Sequence, residues 1–180
     1  MIDPSPFITF GLPALAPTAY AAFVRDNPGD SIVSAGPPIQ YSPAVFSQLT
    51  RVNSLVNQSI DYVPPSSNDA TDPWRILPTM GAERARGTCH DFAATKRHLL
   101  LKQGFPWHAL LFAVVRTDEA PGQEHCVLVV RTHEGDFVLD SLIPGPPVLW
   151  HVRHFDWLSI QSPNDPSRWA RVGSDNEASA

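Results

Sequence analysis

Residues 87–115 read GTCHDFAATKRHLLLKQGFPWHALLFAVV, and the change of period inside this stretch decides the fold class. Gly87-Thr88 opens a helix expected over 88–103, with Phe92, Ala93, Leu99 and Leu100 as its buried stripe and Gly104 as its C-terminal stop. Residues 107–115 are then apolar on both faces, which suits a central strand of a covered sheet. Beyond them, 125–131 and 136–140 predict a hairpin around His133-Glu134-Gly135, and the short runs 148–152 and 157–161 predict edge strands.

Working back towards the N-terminus, Ser42-Pro43 supplies a serine cap with proline at the first helical position. Val45, Leu49, Val52, Val56 and Ile60 follow at three- or four-residue spacing, so 43–61 reads as an amphipathic helix. A shorter helical patch runs from Thr18 to Asp26 and stops at Asn27-Pro28-Gly29. Pro64-Pro65-Ser66-Ser67-Asn68 opens a loop to about residue 87, long enough to carry function. Helices first and strands after them indicate an α+β fold, helices packed on an antiparallel sheet.

Composition narrows the function classes. With 43% hydrophobic and 17% charged residues over 180 positions, one packed domain is expected and a disordered chain is not. The formal charge of −5 and the scatter of the 13 basic residues disfavour nucleic acid, whose phosphates need clustered Lys and Arg. No 18-residue apolar run is present, so no membrane span is expected. Neither a basic n-region nor an apolar h-region follows Met1, and Cys89 and Cys126 are the only cysteines. Both facts favour a reducing, cytoplasmic compartment, with a periplasmic one following if a signal had been removed.

Cys89 falls in the first turn of the helix that Thr88 caps, where unpaired amides and the positive end of the dipole favour thiolate. A thiolate attacks carbonyl carbon, so this is where a nucleophile belongs. His125 stands at the mouth of a strand and can serve as general base and later general acid. Asp140 closes the strand Phe137-Val138-Leu139 and can fix the imidazole tautomer. A hairpin turn centred near Thr132-His133 sets Asp140 directly opposite His125, and one centred on Glu134-Gly135 sets it opposite Val129. Both keep the two on one face.

The stretches GTCHDFAATKR (87–97), HCVLVV (125–130) and FVLDS (137–141) resemble the bacterial transglutaminase-like cysteine proteinases. RVNSLVNQSIDY (51–62), DPW (72–74) and QSPNDPSRW (161–169) add to the likeness. It spans roughly 18–172, leaving 1–17 as an extended N-terminal segment and 173–180 as a flexible tail. The resemblance implies a transglutaminase-like, papain-like fold, with Cys89 as nucleophile, His125 as base and Asp140 as orienting acid. It implies a protein or peptide substrate and no cofactor. Trp74, in the loop leading to Cys89, is a candidate for lining the acyl site or donating to the oxyanion, and Thr88 and His90 flank the same site. Calcium-dependent members carry acids on both sides of the cysteine. Thr88 and His90 stand there in this chain, so calcium independence is expected.

Three rival readings accompany the enzyme. Cys89-His90 and His125-Cys126 form a zinc-like inventory, but adjacent strand residues point to opposite faces and cannot share an ion. The fold can persist as a catalytically silent binding module. An amine acceptor in place of water would give a transglutaminase instead of a peptidase or amidase. Among the remaining residues, His98 is expected to be exposed and His108 to be a satisfied interior histidine. Trp107, Trp150, Trp157 and Trp169 are expected to pack in the core or at its edge.

Overall fold

The computed structural model describes residues 5–66, 72–81 and 83–173. In chain order the elements are β1 (Phe10–Ala14), α1 (Tyr20–Asp26), α2 (Pro43–Ser59), β2 (Ile60–Tyr62), β3 (Ala85–Gly87) and α3 (Cys89–Lys102). There follow β4 (Leu110–Arg116), β5 (His125–Thr132), β6 (Gly135–Leu139), β7 (Val148–Leu149), β8 (Asp156–Gln161) and β9 (Trp169–Val172). Seven strands form one antiparallel sheet in the order β1-β9-β8-β4-β5-β6-β7, and β2 pairs with β3 in a separate parallel ribbon. The α+β architecture expected from the sequence is the one observed.

Local signals account for the helices. Ser42 Oγ accepts from the Val45 N–H at 3.2 Å, with Pro43 at the first helical position of α2. At the start of α3, Asp91 returns its carboxylate to the Thr88 N–H at 3.0 Å, the reach-back half of a capping box. At its other end Gly104 adopts φ +87, the left-handed conformation that lets the chain turn away.

The sheet is covered on both faces, which explains why β4 is apolar at every position but its last. On one face Leu110, Phe112, Val114, Cys126, Leu128 and Val130 meet α1, α2 and α3 in the larger core. On the other, Leu111, Ala113, Val115, Val127 and Val129 meet Ile8, Val138 and Ile160. Truncating a fully buried leucine such as Leu49 or Leu128 would cost about 2–5 kcal/mol.

Several expectations are corrected. Residues 107–109 form a turn of 3-10 helix, and the strand begins only at Leu110. The run 157–161 is an inner strand, between β9 and β4, and residues 150–152 are a 3-10 turn instead of strand. Within the segment 1–17, Phe10–Ala14 is extended and joins the sheet as β1 on β9. Of the tail assigned to 173–180, residues 174–180 lie outside the described residues. His98 is half-buried, with Nδ1 at 2.9 Å from Asp30, where exposure was expected. His108 lies in the 3-10 turn, satisfied by Ser34 Oγ and the Pro37 carbonyl at 3.1 Å each.

Candidate active site

Cys89 is the first residue of α3, and its side chain is 1% exposed. The helix packs on β5, whose first residue is His125, so the helix start and the strand mouth meet at one end of the sheet. The hairpin has a two-residue turn, His133-Glu134, with Thr132 opposite Gly135 and Leu128 opposite Leu139. That register lies between the two expected ones and carries the chain on to Asp140 beside Val127, diagonal to His125 on the same face. Ladder pairing ends at Leu139. Released from it, Asp140 reaches the ring, and Oδ1 accepts from His125 Nε2 at 2.8 Å. Gly135 is required at this turn, because a Cβ there would stand 2.7 Å from Leu149 Cδ2 and 2.9 Å from the Pro6 carbonyl oxygen.

With Nε2 committed to Asp140, the ring's other nitrogen remains available to Cys89, which bears on the imidazole as a neighbouring group. The structure therefore brings Cys89, His125 and Asp140 together in that order, each of them buried. Burial by itself lowers the His125 pKa. The hydrogen bond to Asp140, then the hydrogen bond and charge of Cys89, outweigh it and hold the imidazole up at about 9. For Asp140 burial pushes upward, but His125, the Leu142 N–H and the Lys96 charge prevail and keep the carboxyl below its usual range.

His90 and Trp74 form a neighbouring stack, ring centroids 4.7 Å apart and 21° from parallel. Trp74 also packs against Tyr20, Phe23 and Phe112 in the larger core. Its indole Nε1 is buried with no partner among the described residues, as is His90 Nδ1. Burial lowers the His90 pKa to about 4, so this ring is neutral where His125 is charged. Thr88 is the N-cap of α3 and offers its backbone N–H to Asp91.

Other participants escaped the sequence reading. Asp91 is fully buried, and its carboxylate takes the Arg75 N–H at 2.8 Å, the Arg75 guanidinium at 2.6 Å and the Thr88 N–H. Lys96, 1% exposed, donates Nζ to the Asp140 carbonyl oxygen at 2.9 Å, and Asn57 Nδ2 donates to the same oxygen at 2.8 Å. A signal existed for Lys96. It lies seven residues after Cys89, on the same helix face as Phe92, Ala93 and Leu100, a charge on an apolar stripe. Phe155 stands edge-on to His125, centroids 6.5 Å apart.

Cys126 packs into the helix-side core while its neighbour Val127 packs into the opposite one. Cys126 therefore shares the core that holds Cys89, and the two cysteines are free thiols. Among the described residues no group of three or more His, Cys, Asp and Glu is placed to hold a metal ion.

No curated protein is similar enough to count as a match. Among solved structures, Legionella pneumophila LapG is 22% identical over 90% of this chain and 80% of its own, with a TM-score of 0.55. The calcium-bound form of that protein is 23% identical over 88% and 81%, with a TM-score of 0.56. Its EGTA-treated form is 21% identical over 90% and 82%, with a TM-score of 0.54. At this identity the likeness speaks for the fold, which is that of a transglutaminase-like protease. The family model of the bacterial transglutaminase-like cysteine proteinases matches residues 11–177, nearly the whole chain, and this protein therefore belongs to that family of cysteine peptidases.

Proposed function

We propose that the protein cleaves peptide or side-chain amide bonds in a protein substrate through a Cys89–His125–Asp140 triad. The observation that carries this reading is the His125–Asp140 hydrogen bond at 2.8 Å, on a ring whose remaining nitrogen neighbours a helix-start cysteine. Cys89 Sγ attacks the carbonyl carbon, and the π electrons move to the carbonyl oxygen. The backbone N–H of Cys89, unpaired at the first turn of a helix, is one donor to that oxyanion. Trp74 Nε1, buried without a partner among the described residues, is the candidate for a second. His125 holds the thiol proton as imidazolium and passes it to the leaving amine as the tetrahedral intermediate collapses to a thioester. Water, deprotonated by the now neutral His125, then attacks the thioester carbonyl and regenerates the thiol.

Calcium is not needed in this mechanism. The acid nearest the cysteine in sequence, Asp91, spends its carboxylate on the Arg75 guanidinium and the Arg75 and Thr88 amides, and Thr88 and His90 bring no carboxylate.

An electrophilic acyl probe applied to wild type and to Cys89→Ala tests the reaction. Wild type should be labelled at Cys89 and the variant should not. A companion iodoacetamide time course should show Cys89 reacting well ahead of Cys126, whose thiol burial pushes up far above its ordinary range. Equal rates at the two cysteines would remove the physical argument for Cys89 as nucleophile.

A further inference from the structure

We infer that Lys96 is a positioning residue for the triad: together with Asn57 it pins the main chain of Asp140 and so fixes the carboxylate that orients His125. The inference rests on the triad reading above and adds a residue to it. β6 stops at Leu139, so the Asp140 carbonyl has no ladder partner. A buried carbonyl left alone would carry the full cost of its lost hydration. Two side chains from two helices take the place of the missing strand, Lys96 Nζ at 2.9 Å from α3 and Asn57 Nδ2 at 2.8 Å from α2.

A lysine is an expensive choice for that task. Lys96 is 1% exposed, and burying such a charge costs far more than burying a neutral side chain. A methionine would fill the same volume on the stripe formed by Phe92, Ala93 and Leu100 without that cost. The charge makes sense beside Asp140, whose Oδ2 is buried without a hydrogen-bond partner among the described residues. Oδ1 already serves His125 and the Leu142 N–H. Lys96 thus anchors the backbone of the acid by a hydrogen bond and offsets the charge of its carboxylate through space. The titratable groups that bear on Lys96 are Asp140 at the end of β6 and Cys126 on β5, while α2 contributes only the neutral Asn57. Burial brings its own pKa down to about 7 against the pull of those two.

The experiment is a pH–rate profile for iodoacetamide alkylation of Cys89, read by mass spectrometry on the full chain between about pH 5 and pH 10, a span that covers the ordinary His and Cys range. Wild type, Lys96→Met and Asn57→Ala are compared, with a melting curve for each. If Lys96 positions Asp140, its loss slackens the His125–Asp140 hydrogen bond. The alkaline inflection should then move down by roughly one pH unit, a tenfold change in the equilibrium, towards the ordinary imidazole value. Asn57→Ala should move it the same way by less, and it serves as the test should Lys96→Met fail to fold. A role through charge alone predicts an unmoved inflection, because Lys96, brought down to about 7 by burial, is already neutral where His125 gives up its proton near 9. An inflection that rises, or stays put while the melting temperature falls, overturns the positioning role and leaves Lys96 a structural residue. Wild-type Cys89 that does not react at all overturns the triad reading and this inference with it, whereas a reactive wild type with unmoved variants overturns Lys96 alone.

Discussion

Asp91 and Asp140 are both buried acids close to Cys89, and the fold holds them in opposite ways. Asp91 has both oxygens occupied, by a guanidinium and two backbone amides. Its ionic partner, Arg75, stays charged at any pH the protein meets. Asp140 uses one oxygen for His125 and the Leu142 N–H and leaves the other without a hydrogen bond among the described residues. Its partner is an imidazole, the side chain whose charge can change near neutrality. A saturated acid with a permanent cation locks a helix start. An under-satisfied acid on a titratable partner can follow a proton through a reaction.

The largest expected effect falls on the second pair. Asp140→Asn keeps the shape but removes the charge that stabilises the imidazolium. Acyl-probe labelling at Cys89 should slow by about 10²–10⁴-fold, the usual worth of general acid–base assistance, with a much smaller change in melting temperature. Labelling at the wild-type rate would erase the contrast between the two acids.

Asp91→Ala should do the reverse. It strands the buried Thr88 amide and the part-buried Arg75 amide, so urea unfolding should show a loss of about 1–3 kcal/mol. The Arg75 guanidinium is 50% exposed and is resolvated, which keeps the cost from being larger. Labelling per folded molecule should survive. Native-like stability with lost labelling would move Asp91 into the catalytic group.

Titration separates the two histidines that adjoin Cys89. His125 is raised to about 9, so its contribution to stability is complete below the unfolded value near 6.5 and is lost as pH rises through about 9. His90 is lowered to about 4, so its neutral burial favours the fold above about 6.5 and ceases to do so as pH falls towards 4. The melting temperature should therefore decline on both sides of a maximum between these limits. His125→Gln should flatten the alkaline limb alone, and a limb that persists in that variant would contradict the assignment.

The smallest expected effect is none. Since Arg75 already neutralises Asp91, neither calcium nor a chelator should shift the melting temperature or the labelling rate. A rise of several degrees on adding calcium would show that a cation competes with the guanidinium for Asp91.

Much of this was legible in the residues themselves. Ser42-Pro43, Thr88 and Gly104 mark helix ends by local chemistry, and the apolar run from Leu110 marks a strand covered on both faces. Cys89, His125 and Asp140 stood out by their places at a helix start, a strand start and a strand end and by the family resemblance, and strand alternation put the last two on one face. Trp107–Ala109 misled because an apolar run does not distinguish a 3-10 turn that feeds a strand from the strand itself.

The tertiary structure alone decided what pairs with what. Alternation says which face a side chain occupies but not its register, so the His133-Glu134 turn, and with it the diagonal approach of Asp140 to His125, came only from the folded hairpin. β1 finds β9 across nearly the whole chain, Phe10 beside Val172, and no local pattern in a proline-rich segment announces such a partner. Lys96 shows the same limit. Its place on the apolar stripe of α3 was written in the sequence, but a helix sets only the direction of a side chain. The carbonyl it meets belongs to a residue 44 positions away, brought there by α3 packing across β5.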